Sequence, residues 1–276
     1  MKRALIRIGR IPYANLFPFF YYLENQCDSS LYRFINGHPS ELNRLLRHGH
    51  LDISPSSSIE YLRNKDRYSL IPFLSISSIG RIDSIMLLSN EPIDELDGKT
   101  ISLSSDSDTS VVLLKILLKE FKGIRCRFTM EDSHDVNSIL SKSSAMLLIG
   151  DTAMKEAKRF RRQKTGDKRQ RIYIYDLGEM WHRYTGLPFV FALWIVRNDV
   201  MEKKWSLVKR LSLDLYNAKG YLSKNLPLIA DMAPQRDFLT KRELINYWGM
   251  LSFDLTERHL EGLRLFEHYC LKNHLF

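Results

Sequence analysis

The sequence predicts an α/β protein of two lobes, and three observations predict it. Apolar strand-like runs alternate with helical patterns from the start of the chain to about residue 190. The alternation falls into two groups, residues 1 to about 87 and about 97 to 190. A long apolar run, FVFALWIVRN, then leads into a closing segment of helical pattern. Alternation of this kind builds mixed, mostly parallel sheets covered by helices.

Each element has its own reason. Residues 4–8, ALIRI, read as the first strand, and ANLFPFFYYLEN as a loop entering a short helix. PSELNRLLRHG has Pro39 and Ser40 at a helix start and Gly49 at its end, the expected asymmetry. LDISP reads as a short buried strand, then a Ser-rich turn, then the helix IEYLRN. YSLIPFLSISS and DSIMLLSN read as two more strands.

In the second group KTISLS is a strand, and a strongly periodic helix starts at about Thr109 after a polar loop. RCRFTM, DVNSILSKS and SAMLLIG repeat strand, helix, strand, and RIYIYDLGEMW carries another strand. FVFALWIVRN is apolar enough for a central strand buried on both faces. From about residue 201 the pattern is helical to the end.

An economical arrangement has the chain cross between lobes near Ser89–Pro92 and return near Phe191–Trp194. Lobe one is then residues 1–88 and 193–276, and lobe two is residues 89–192. A cleft between two lobes is a preferred place for a small-molecule ligand.

Composition narrows the class. The 276 residues are 44% hydrophobic and 26% charged, ordinary for a soluble globular protein. No apolar run approaches the ~18 residues that span a bilayer. The basic start MKRALIRIGRIPYA has no apolar core and no small-residue cleavage site, so a cytoplasmic location is expected. Cys27, Cys126 and Cys270 are odd in number, far apart and form no CxxC pair. That argues against disulfides and a zinc site.

The net charge of +9 is local. Residues 155–171 hold nine Lys/Arg and two Asp/Glu, which leaves 32 basic against 30 acidic elsewhere. No zinc-finger spacing, aromatic RNA-binding motif or heptad accompanies the run, so it reads as a solvated helix end and loop.

Several strand ends carry small polar residues just before helices. They are Tyr13-Ala14-Asn15, the serines Ser56, Ser57 and Ser58, the SSDSDTS turn with Thr109 and Ser110, and the GDT turn with Asp151. Helix N-termini present free N–H groups and a partial positive charge, which suits a carboxylate or phosphate. The competing reading is plain N-capping. Thr185-Gly186-Leu187-Pro188 forms a turn before the long apolar strand, bracketed by Trp181 and Trp194. It suits a ligand wall or packing between lobes. No GxSxG, HExxH, GxGxxG or Walker motif occurs, and no His/Asp/Glu spacing suggests a metal. The residues alone reach a two-lobed binder of a small anionic molecule.

Longer stretches add a resemblance. IGRIPYANLFPFFYYLE, GHPSELNRLLRHGHLDISPSSSIEYLRN, SISSIGRIDSIMLLS, ELDGKTISLSSDSDTSVVLLKILL, AMLLIGDTA and YDLGEMWHRYTGLPFVFALWIVRND together resemble the chorismate dehydratase family. The likeness runs over nearly the whole chain, in order and with similar spacing. It implies the type II periplasmic-binding-protein fold, with the ligand cleft between its lobes. It also implies loss of water from chorismate, giving 3-[(1-carboxyvinyl)oxy]benzoate on the futalosine route to menaquinone, with no metal and no organic cofactor. An Asn in the first loop of the family is matched by Asn15, and a Ser at the start of a crossing strand by Ser84. Many members have Pro after the Gly of the SSxG turn, whereas this chain has Arg81.

Chorismate is a dianion, so its two carboxylates need donors. Candidates are Ser56, Ser57 and Ser58 and the helix start at Thr109 and Ser110, with Asp151, Thr185 and Gly186 as further lining. Neither Asn15 nor Ser84 is a strong base, so the substrate's own enolpyruvyl carboxylate is the expected one. The alternative is a non-enzymatic binding protein for a small carboxylate using the same cleft. The sister enzyme that makes 1,4-dihydroxy-6-naphthoate shows a CPNDT-like turn where this chain reads PYANLF. No nucleic-acid or membrane partner is expected, and the sequence leaves the oligomeric state open.

Overall fold

The computed structural model describes residues 5–104, 108–131, 135–162 and 172–276. In chain order, β1 (Ile6–Arg10), α1 (Phe17–Asn25), β2 (Tyr32–Asn36), α2 (Pro39–Arg47), β3 (Ile53–Ser57), α3 (Ser58–Arg63) and β4 (Tyr68–Ser78) come first. Next are β5 (Ile85–Ser89), β6 (Thr100–Ser104), α4 (Asp108–Ile116), β7 (Arg127–Glu131), α5 (Val136–Leu140), β8 (Ala145–Ile149), α6 (Gly150–Arg162), β9 (Tyr173–Asp176) and α7 (Leu177–Thr185). β10 (Phe189–Arg197), α8 (Asn198–Lys203), α9 (Trp205–Met232), α10 (Lys241–Met250), β11 (Leu251–Asp254) and α11 (Glu257–Lys272) complete the chain.

The chain divides into two units, Met1–Ser77 with Val190–Leu260 and Ser78–Phe189 with Glu261–Phe276. The divisions fall earlier than the expected 88/89 and 192/193. Residues 261–276, expected in lobe one, pack instead in the second unit. The reason is local. Gly262 of α11 lies so close to Pro188 that an added Cβ would sit 2.1 Å from its carbonyl oxygen. Phe266 stacks edge-on with Phe189 at 5.0 Å and with Trp181 at 6.4 Å.

The first unit carries a six-stranded sheet of order β11-β4-β10-β3-β1-β2. β1 runs parallel to β2 and β3, and β10 runs antiparallel to β3 with Leu193 opposite Ser56. β2 sits on one side of β1 and β3 on the other, so the winding reverses at β1. Open sheets of this kind bind ligands beyond the carboxyl ends of the strands at such a reversal. Trp194 of β10 is buried against Phe19 and Phe20 of α1, with ring centroids 6.2 and 6.1 Å apart. Each buried ring of this size contributes on the order of 1.5–3 kcal/mol.

β11 corrects the expectation of helix from residue 201 onward. Its four residues LSFD alternate buried and half-buried, which is strand-like, but they are too few for a periodic signal.

Asp52 ties the first unit together. It is 1% exposed, accepts from Arg7 Nη2 at 2.5 Å and Nε at 3.2 Å, and accepts from Lys204 Nζ at 2.7 Å. Burial alone would push its carboxyl up; the hydrogen bonds from Arg7 and Lys204 outweigh that and hold it below the usual value. A lowered carboxyl adds stability that is complete above the unfolded value of ~3.9 and lost as pH falls through the folded one. Asp52→Asn should therefore cost about 2–3 kcal/mol at pH 7, part of the pair being solvent-screened. The melting curves of variant and parent should converge as pH falls below about 4. A gap that stays constant with pH would show that the charge of Asp52 is not what stabilises the unit.

The second unit carries a five-stranded sheet of order β7-β6-β8-β5-β9. β6 is parallel to β7 and β8, while β5 is antiparallel to β8 and β9. Met86, Leu88, Met146 and Leu148 form one core face with Val136, Ile139, Ala153 and Ala157 of the covering helices. RIYIYDLGEMW carries the expected strand, which ends at Asp176, and α7 follows it directly. Among the described residues, no helix is long and apolar enough to cross a membrane.

Candidate functional site

In the first unit, polar groups gather at the carboxyl ends of β1 and β3. Asn15 lies in the loop leaving β1. The loop is closed by Leu16 and Phe17 N–H groups donating to the Tyr13 carbonyl at 3.2 Å. Trp248 of α10 pins it by donating from Nε1 to the Ala14 carbonyl at 2.8 Å. Asn15 is half-buried, and its Oδ1 is fully buried with no partner among the described residues. A buried acceptor without a donor costs about 1–3 kcal/mol, so proteins rarely keep one without use.

The serines of β3 divide by strand alternation, and Ser58 opens α3 directly after it. Ser57 Oγ accepts from Asn43 of α2 at 3.2 Å, and Ser58 Oγ donates to the Val190 carbonyl at 2.6 Å. Both are structurally committed. Ser54 and Ser56 point to the other face, and both Oγ atoms are buried without a partner among the described residues. Gly9 of β1 makes room there, since a Cβ on it would sit 2.5 Å from Ser54 Oγ.

In the second unit one sheet end again collects the expected residues. Thr109 and Ser110 open α4 after β6 and are buried, at 1% and 2% exposure. Asp151 lies in the first turn of α6 after β8 and is half-buried. β5 runs antiparallel to β8, which brings its start to the same end. There the buried Ser84 accepts through its carbonyl from Gly150 N–H at 2.7 Å.

The turn before Ser84 is held by Asp176, a residue the sequence reading passes over. Its Oδ2 accepts from the N–H groups of Ile82 at 3.0 Å and Asp83 at 2.7 Å, and its Oδ1 caps α7 by accepting from Glu179 N–H at 3.0 Å. Burial pushes its carboxyl up against these three donors. The D-x-x-E spacing of Asp176 and Glu179 is the signal that would have found it. Gly178 allows the approach: a Cβ there would lie 2.6 Å from the Gly80 carbonyl oxygen.

Thr185 and Gly186 are not brought to this end. They close the far end of α7, nine residues and so about 13 Å along the helix. Thr185 Oγ1 donates to the Trp181 carbonyl at 2.8 Å and accepts from Leu187 N–H at 3.1 Å, while Gly186 takes φ 70° as the helix cap. Trp181 is fully buried among Phe121, Phe189, Phe266 and Tyr269, so it packs a core. Arg81 is exposed and paired with Asp83 at 2.6 Å. Of the basic run, residues 155–162 lie in α6, and 163–171 lie outside the described residues. Among the described residues, no group of three or more His, Cys, Asp or Glu is placed to hold a metal ion.

A family model for menaquinone biosynthesis matches residues 6–272 of this chain. The chain belongs to that family. Within it, a chorismate dehydratase of Thermus thermophilus is 33% identical over 269 residues, 94% of this chain and 93% of that protein. One of Campylobacter jejuni is 29% identical over 188 residues, covering 67% and 64%. Among solved structures, protein AF1704 of Archaeoglobus fulgidus matches 98% of each chain with TM-score 0.79 at 17% identity. The alkanesulfonate-binding protein SsuA of Xanthomonas axonopodis matches all of this chain and 95% of its own with TM-score 0.70 at 12% identity. These likenesses show a periplasmic-binding-protein-like α/β fold for this chain, as the sequence predicts.

Proposed function

We infer that this protein is a chorismate dehydratase, a hydro-lyase that removes water from chorismate to give 3-[(1-carboxyvinyl)oxy]benzoate. The likeness to the Thermus thermophilus enzyme over nearly its full length carries the reading. The site offers what that substrate needs. Chorismate at neutral pH has two carboxylates and one hydroxyl, on C4. The hydroxyl is its one strong hydrogen-bond donor, and Asn15 Oδ1 is a buried acceptor lacking one. Ser56 has a buried hydroxyl to donate to a carboxylate. In the second unit, the start of α4 at Thr109 and Ser110 carries the positive end of a helix dipole, which favours an anion.

The reaction breaks the C3–H and C4–O bonds. The C3 proton and the C4 hydroxyl leave as water, and the ring becomes aromatic, which makes the step strongly downhill. The protein's work is then positioning and charge stabilisation. Asn15 orients the leaving hydroxyl, the enolpyruvyl carboxylate takes the C3 proton and passes it to the departing oxygen, and Ser84 is the second catalytic group of this reading. The reaction belongs in the cytoplasm, where chorismate is made.

The rise of aromatic absorbance from chorismate tests the assignment. Ser84→Ala should lower kcat by about 10²-fold or more, the loss typical of one stabilising polar group. No single Asp, Glu or His replacement at these strand ends should abolish turnover while sparing binding. A carboxylate or imidazole variant that did so would replace the substrate carboxylate as the base. A parent protein whose melting temperature rises with chorismate, yet forms no product, would be a binding protein.

A further inference from the structure

A pocket lies in the second unit, away from the strand ends described above. α4 leads from Thr109 and Ser110 into a π-helical turn at Leu117–Phe121. Such turns are rare and frequent at functional sites. Beside this turn is a cavity of about 290 Å³. Leu118, Ile124, Phe128 and Leu275 supply apolar walls. Lys115, Lys119 and Arg125 line it too. Lys115 lies over the Phe128 ring at 5.2 Å. None of these three cations forms an ion pair among the described residues.

Two carboxylates are near: Asp97, whose Oδ1 accepts from Arg125 N–H at 2.7 Å, and Glu120. Glu120 is already engaged. It is held by Lys272 at 2.5 Å and by Asn273 Nδ2 at 2.9 Å. Asn273 lines the pocket, and its Oδ1 is buried without a partner among the described residues. An apolar cavity rimmed by three cations that make no ion pair among the described residues is complementary to a molecule that is apolar at one end and anionic at the other. The volume suits one or two fused rings.

We propose that this pocket binds an arene carboxylate, with the ring on Leu118, Ile124 and Phe128 and the carboxylate among Lys115, Lys119 and Arg125.

Cys126 is a built-in reporter. It lines the same cavity, is half-buried, and donates from Sγ to the Leu96 carbonyl at 3.1 Å. Cys27, in the first unit, is the internal control. Burial pushes the Cys126 thiol up to about 11, so labelling with iodoacetamide is best run at about pH 9. Saturating 2-naphthoate should slow alkylation of Cys126 at least fivefold and leave Cys27 unchanged. Neutral 2-naphthamide should protect less than half as well. In the Lys119→Glu/Arg125→Glu variant the naphthoate concentration giving half-protection should rise at least tenfold, whereas Ser84→Ala should leave it unchanged. Equal labelling of Cys126 with and without naphthoate would overturn the proposal, as would equal protection by the amide. The first comparison needs only the parent protein, so a variant that fails to fold leaves the test intact.

Discussion

Asn15→Ala should lower chorismate turnover by about 10²- to 10³-fold and leave the melting temperature unchanged or slightly raised. The combination is unusual. Most polar truncations in a half-buried loop remove an internal hydrogen bond and cost stability. Asn15 Oδ1 makes no such bond among the described residues, so its removal abolishes a desolvation penalty. The loop itself is held by other groups, the Tyr13 carbonyl and the indole of Trp248. Activity measured against chorismate, with a thermal melt of the same sample, separates the two effects. A variant that loses activity only in proportion to lost folding would make Asn15 structural. One with full activity would remove it from the site.

Asp176→Ala should be the most damaging single change outside the apolar core. It removes the acceptor of the Ile82, Asp83 and Glu179 N–H groups, of which that of Ile82 is buried and the other two partly so. At about 1–3 kcal/mol for each stranded donor, the loss is about 4 kcal/mol after allowing for water entering the turn. For a chain of this size that lowers the melting temperature by roughly 8–15 °C. Turnover should also fall at temperatures where the variant is folded, because Ile82 and Asp83 immediately precede Ser84. A melting temperature within about 2 °C of the parent would mean the turn finds other acceptors.

The alternation that builds both sheets was legible because each strand is a short apolar run bounded by polar turns, as in AMLLIGDT. FVFALWIVR could be placed at the centre of a sheet because it is apolar on both faces, and it lies between β3 and β4. Four residues of LSFD were too few to distinguish from the helices beside them. α7 was hidden because YIYDL begins as an apolar run, although Asp176 and Glu179 marked a helix start.

The site was half legible. Polar strand ends can be read along a chain, but which serines are spent cannot. Ser57 and Ser58 are engaged by Asn43 and Val190, partners 14 and 132 residues away, while Ser56 is not. Likewise Thr185 and Gly186 sit in a polar turn before the long apolar strand, and their hydroxyl and backbone serve a helix end. Only the fold shows which polar groups remain for a ligand.

The most direct test is to incubate the purified protein with chorismate and identify every product by liquid chromatography with mass detection. The expected result is one aromatic product lighter than chorismate by one water, formed in many turnovers per protein molecule and nearly lost with Asn15→Ala. Chorismate recovered intact, or converted to a product that retains the C4 oxygen, would contradict the assignment.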